Sequence, residues 1–152
     1  MCRVTGVHFG PGALVAVYVF MKYRLDNCNA KSSLWRIVQE DWLAHRRDWT
    51  SPGFRAIAVY RFGRWQREIR FRLLRAPVGL IYRALYRYVR NHYSIDLPDA
   101  AAVGRRVVIE HSGAIYVHDH SVIGDDCVIR QGVTLGNDGV GDPTSAPILG
   151  KR

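Results

Sequence analysis

From Ser33 onward the apolar positions fall at helical steps. Leu34, Trp35, Ile37, Val38, Trp42 and Leu43 recur every three or four residues, and the run is opened by a serine of capping type. This predicts an amphipathic helix reaching toward Trp49, broken by Thr50-Ser51-Pro52-Gly53. Phe54, Ile57, Ala58, Arg61, Phe62, Trp65, Ile69, Leu73 and Leu74 then predict one long amphipathic helix. Pro77 is expected to stop it and open a last helix, because proline is tolerated at a first helical position. Val78, Ile81, Leu85, Tyr88 and Val89 are the expected buried stripe of that helix.

After Asn91-His92-Tyr93 the rhythm changes to one aliphatic residue in six. Val103, Ile109 and Ile115 form one series, and Val117, Ile123, Ile129 and Leu135 continue it two residues out of phase. Four residues beyond Val103, Ile109, Val117, Ile123 and Ile129 stand compact side chains: Val107, Gly113, Ser121, Cys127 and Val133. No helix has a period of six, and hairpins such as Gly124-Asp125-Asp126 suggests would not keep that register. Six-residue flat faces, three to a turn of about eighteen residues, are the pattern of a parallel β-helix. The fold class is therefore α+β. Residues 1–33 are expected to be an extension, 34–93 a helical domain and 94–152 the first coils of the β-helix. The two-residue slip is placed at Ile115-Tyr116, where a solenoid would bulge outward and open a pocket beside His111.

A length of 152 residues with 48% hydrophobic content suits one domain or two small ones. The net charge of +9 is uneven: residues 35–90 hold thirteen arginines against four acids, while residues 91–152 hold five basic and eight acidic side chains. Such asymmetry can mark an anionic partner, but arginines solvating the outer faces of amphipathic helices are the simpler explanation. Helix-turn-helix and RNA-binding signatures are both missing, so no nucleic-acid partner is expected. Three cysteines without metal-type spacing point to a reducing, cytoplasmic setting. Cys127 falls on a compact inward position, where a thiol is inert. The apolar run Ala13–Met21 is too short to span a bilayer, so no transmembrane segment is expected. His118-Asp119-His120 offers two imidazoles, too few for a metal site, and no metal is expected.

Residues 94–137 resemble the hexapeptide-repeat acyltransferases of the serine acetyltransferase type. The likeness rests on Ile95-Asp96-Leu97-Pro98, on the pair Glu110-His111 and on Gln131-Gly132-Val133-Thr134-Leu135-Gly136, in that order. It extends to the helical segment 58–65 and covers roughly residues 35–150. The "IRQGVTLGN" wording and the short helical region are closer to the branch that acetylates sugars in exopolysaccharide assembly. The resemblance implies a left-handed parallel β-helix, a homotrimer or dimer of trimers, and acetyl-CoA as acyl donor in a groove between subunits. It implies His111 as the general base and Asp96, fifteen residues upstream, as its orienting carboxylate. By the same resemblance Glu110 and Asp48 contact the acceptor and Gly136 contacts CoA. The chemistry agrees: a hydroxyl is a poor nucleophile, and a base titrating near neutrality is the practical remedy.

Departures from the family pattern leave the acceptor open. Ser145-Ala146-Pro147 stands where serine-specific members carry Arg-His-Pro, and Glu110 replaces the usual aspartate. Without that arginine clamp, L-serine and a sugar hydroxyl are about equally expected. A non-catalytic binding or assembly module, or a basic helix pair for an anionic surface, are the rival readings. Leu149-Gly150 opens a further face just before Arg152, so the sequence reads as the front part of a longer enzyme, a fragment that need not be active alone.

Overall fold

A computed structural model describes residues 33–137 and 145–151; the extension expected before Ser33 lies outside the described residues. Among the described residues three helices precede eight short strands. Helix α1 (Leu34–Ala44) starts at Ser33, whose backbone carbonyl accepts from Arg36 and Ile37 while its hydroxyl makes no cap bond. The helix ends well short of Trp49 because Arg46 and Arg47 adopt φ of 57° and 61°, a left-handed turn. Helix α2 (Pro52–Glu68) begins with proline at its first turn, and the Ser51 hydroxyl accepts from the Phe54 amide at 3.5 Å.

Helix α3 (Arg72–Tyr93) departs from expectation twice. The break after α2 falls at Ile69–Phe71, in extended backbone, and Pro77 lies inside α3 rather than at its start. Pro77 is tolerated there because the surrounding turn faces solvent, with Leu73 91% exposed, and water can satisfy the carbonyl that proline leaves unpaired. The buried stripe is also rotated. Ile81, Leu85 and Tyr88 are exposed, while Tyr82 and Val89 are buried and Tyr86 and Tyr93 half-buried. Tyrosines line the inward face because their hydroxyls find partners there. Tyr82 Oη accepts from the Asp99 amide at 3.2 Å, and Tyr93 Oη accepts from Arg55 at 2.6 Å. Leu73 and Leu74, expected within a buried stripe, point to water.

The strands are β1 (Ile95–Asp96), β2 (Ala102–Val103), β3 (Val108–Glu110), β4 (Ile115–Val117), β5 (Val122–Ile123), β6 (Val128–Arg130), β7 (Thr134–Leu135) and β8 (Ile148–Leu149). They stack into three parallel sheets, β1-β4-β7, β2-β5-β8 and β3-β6, so the chain winds as a three-sided coil. Each face turns two side chains inward. One inward row is Leu97, Val103, Ile109, Val117, Ile123, Ile129 and Leu135; the other is Ile95, Ala101, Val107, Ile115, Ser121 and Cys127. All thirteen are buried, and with Ala56, Ile57, Tyr60 and Val89 nearly all of them form one hydrophobic core. Ile115 thus belongs to the second row and not to the first. The slip lies earlier, between Glu110 and Ile115, and Gly113 is a corner residue rather than an inward one.

Helix α2 meets the coil at its first turn. A Cβ built on Gly53 would lie 2.0 Å from the Ile109 carbonyl oxygen, so only glycine permits this approach. Gly53→Ala is therefore expected to lower stability by about 1–3 kcal/mol through forced backbone displacement. A urea midpoint equal to that of the unaltered chain would show that α2 does not seat on β3 in this way.

Candidate active site

The coil is not uniform. The first turn repeats after 20 residues, Ile95 pairing with Ile115, Ala102 with Val122 and Val108 with Val128. The next repeats after 18, Tyr116 pairing with Thr134 and Val117 with Leu135. The two additional residues sit in the corner between β3 and β4. There His111, Gly113 and Ala114 have φ of 65°, 115° and 50°, so three of four corner residues are left-handed. Positive φ at a histidine and an alanine is uncommon and persists only where the surroundings impose it. His111 is thus the first residue of the enlargement itself. It is exposed, and its ring has no hydrogen-bond partner among the described residues.

What fixes this corner lies behind it. The Ile109 amide donates to His45 Nε2 at 3.2 Å, and His45 Nδ1 lies 2.7 Å from the Asp41 carbonyl oxygen. A carbonyl can only accept and an amide N–H can only donate, so Nδ1 carries the proton and the ring is neutral. Asp41 is wholly buried, and its carboxylate pairs with buried Arg61 at 2.8 Å and accepts from the Arg106 amide at 3.1 Å. None of these three side chains figured among the expected site residues. The signal available was Arg61, which recurs on the apolar stripe of α2 where a charge demands a buried partner.

The expected site residues come together only in part. Glu110 adjoins His111 and is ion-paired across the rung with Arg130 at 2.9 Å. Asp96 does not meet His111 within this chain. Its register partner is Tyr116, around the corner from His111, and its Oδ1 accepts from the Tyr86 hydroxyl. This turn of the coil takes 20 residues, so a residue fifteen beyond Asp96 stands short of the rung above it. Burial, then the bond to Asp96, raises the Tyr86 phenol above its ordinary range, so the hydroxyl remains the donor. Asp48 lies on the turn between α1 and α2 and accepts from the Thr50 amide at 2.8 Å and the Thr50 hydroxyl at 2.6 Å. Gly136 follows β7 and is exposed; a Cβ there would meet only Thr134 Cγ2, at 3.8 Å.

Elsewhere, the His118 and His120 rings stand 5.6 Å apart, and His118 Nδ1 accepts from the His120 amide at 3.3 Å. Among the described residues no three His, Cys, Asp or Glu side chains gather as a metal site would require. Cys127 is fully buried, its sulfur 3.1 Å from the Gly150 carbonyl oxygen. No described helix is long and apolar enough to cross a membrane.

No family model matches the sequence. The chain is 34% identical over 124 residues to the serine acetyltransferase of Helicobacter pylori, covering 79% of this chain and 68% of that relative. It is 36% identical over 75 residues to the putative colanic acid biosynthesis acetyltransferase WcaB of Escherichia coli, covering 49% of this chain and 44% of the relative. Among solved structures, a serine acetyltransferase from Vibrio cholerae superposes with a TM-score of 0.61 at 20% identity, over 86% of this chain and 52% of that one. A serine acetyltransferase in complex with CoA gives 0.59 at 24% identity, over 84% and 54% of the two chains. The chain spans about half the length of the solved structures it matches.

The Asp48 turn supplies a test of its own. The Thr50 hydroxyl, then the Thr50 amide, hold the Asp48 carboxyl below its ordinary value of 3.8. A depressed folded value contributes stability above the unfolded pKa and loses it as the pH falls through the folded one. Thr50→Val removes the larger cause, so the Asp48 titration followed by NMR is expected to move up toward 3.8. An unmoved midpoint would mean that the turn does not hold this carboxylate.

Proposed function

Because this chain belongs to the serine acetyltransferase family, we propose that the protein moves the acetyl group of acetyl-CoA onto a hydroxyl of a small acceptor, with His111 as general base. The observation that carries this reading is the enlarged corner. It presents an exposed imidazole with no internal partner, on a backbone held from behind by His45 and Gly53. A base must be rigidly placed and free to take a proton, and this corner meets both needs.

In the proposed reaction a His111 ring nitrogen takes the acceptor hydroxyl proton as the oxygen attacks the thioester carbonyl. The tetrahedral adduct collapses to the acetyl ester, and the departing CoA thiolate recovers a proton from the imidazolium. Asp96 is the orienting carboxylate in the assembled protein. Tyr86 occupies its Oδ1, and its Oδ2 has no partner among the described residues, so it can accept from an imidazole N–H. Glu110 and Asp48 are assigned to the acceptor and Gly136 to the CoA strand. The coil is read as left-handed, as its family membership leads one to expect. A trimer or dimer of trimers is supported by the exposed Ile81, Leu85 and Tyr88 along α3. The odd number of cysteines favours a cytoplasmic location.

The acceptor is L-serine or a sugar. No arginine stands at Ser145-Ala146-Pro147, and Pro147 is tied into the coil through its carbonyl, which accepts from Val122 at 3.1 Å. Arg130, 71% exposed beside Glu110, offers a substitute guanidinium for a carboxylate-bearing acceptor. In the full-length protein, CoA release should be followed with L-serine, with sugar nucleotides and with oligosaccharides in parallel. His111→Ala is expected to cut the rate about a hundredfold or more with fold retained, and Asp96→Asn to lower it as well. Near-normal turnover in a folded His111→Ala protein would contradict the assignment.

A further inference from the structure

Helix α3 contains no acidic residue, and three of its arginines face a hollow that the acyl-transfer reading does not use. The hollow has a volume of about 610 Å³ and lies between α2, α3 and the turn at Asp99. Arg72, Arg75 and Arg83 line it, and Ala76 and Gly79 stand between them at the same three- and four-residue steps. Small residues at those two positions leave the space open. Arg67 also lines it but is already engaged by Asp99 through bonds of 2.5 and 2.8 Å. Arg72, Arg75 and Arg83 have no carboxylate partner among the described residues.

A second feature points the same way. Gln66 also lines the hollow, is only 8% exposed, and its side chain has no hydrogen-bond partner among the described residues. Its amide end sits 3.9–4.0 Å from where a Cβ on Gly79 would stand. Solvent reaches its amide atoms through the hollow, so they stand open to a polar group of a ligand. Three unpaired guanidiniums around one hollow repel each other, and each can grip a phosphate through two N–H donors.

We propose that this hollow binds a small molecule carrying a diphosphate, its phosphates held by Arg72, Arg75 and Arg83 and a further polar group by Gln66. One phosphate carries about two negative charges at most, too few to balance three arginines. The volume falls in the range of sites that enclose a small organic ligand, so the phosphates need not be the whole molecule. Concavity separates this site from a flat basic surface, which would suit a polymer or a lipid sheet.

The test uses the full chain at constant ionic strength, with pyrophosphate, ADP and inorganic phosphate titrated calorimetrically and anionic vesicles as a separate arm. Pyrophosphate and ADP are expected to saturate one site, and inorganic phosphate to bind at least about tenfold more weakly. Arg72→Gln with Arg75→Gln should weaken pyrophosphate binding about tenfold or more. Gly79→Leu fills the hollow from a helical position with an unstrained backbone, so it should abolish binding while preserving the melting temperature. His111→Ala should bind as the unaltered chain does, which separates this site from the acyl-transfer site. Saturable binding that survives Gly79→Leu would overturn the proposal. So would non-saturable binding that salt removes equally from every variant, or association with anionic vesicles alone.

Discussion

The pairing of Asp41 with Arg61 is the constraint from which the rest of the arrangement follows. Both side chains are buried, one on α1 and one on α2. Burying two charges costs several kcal/mol each unless geometry and further hydrogen bonds compensate. Here they do. The Arg61 guanidinium also donates to the carbonyl oxygens of Val103 and Gly104, and Asp41 accepts from the Arg106 amide. The pair therefore joins more than two helices: it clamps the corner between β2 and β3 to both of them. Removing one partner from such a pair typically costs about 3–5 kcal/mol, because the other is left charged and buried.

A coil of two- and three-residue strands needs such external support, since each strand contributes few ladder bonds. Tyr60 supplies more of it, donating to the Ala101 carbonyl at 2.9 Å and accepting from the Val103 amide at 3.1 Å. Glu40 reaches Arg105 one residue further along. The helices thus serve as a mould for the first turn of the coil. That turn bears the enlarged corner, so the strained backbone at His111 is imposed by contacts made in α1 and α2. The imidazole proposed as base is held through the main chain, leaving its ring atoms free for chemistry.

Much of this was legible in the sequence, and the failures have physical causes. The six-residue rhythm gave the coil because inward positions of a flat face admit only aliphatic or compact side chains. The slip was misplaced because each face has two inward positions, and Ile115 fits either row by type alone. The inward face of α3 was missed because Tyr82, Tyr86 and Tyr93 bury their rings while carrying polar tips. Aliphatic periodicity selected the opposite face, with Ile81 and Leu85. Pro77 misled because the cost of an interior proline depends on whether water reaches the freed carbonyl. Asp96 and His111 stand fifteen residues apart, yet whether two such positions meet within one chain depends on coil length, and two corner residues change that length.

The central claim is that side chains of α1 hold the strand and corner leading to His111. Two amides report on it directly. Arg106 N–H donates to the Asp41 carboxylate and Ile109 N–H to the His45 ring, so side chains of the α1 segment, and no strand ladder, protect them. Hydrogen exchange resolved at single amides measures this protection. The account predicts that Arg106 and Ile109 exchange as slowly as Val108, whose amide bonds to the Cys127 carbonyl within the coil. Prompt exchange at Arg106 and Ile109 beside a protected Val108 would contradict it.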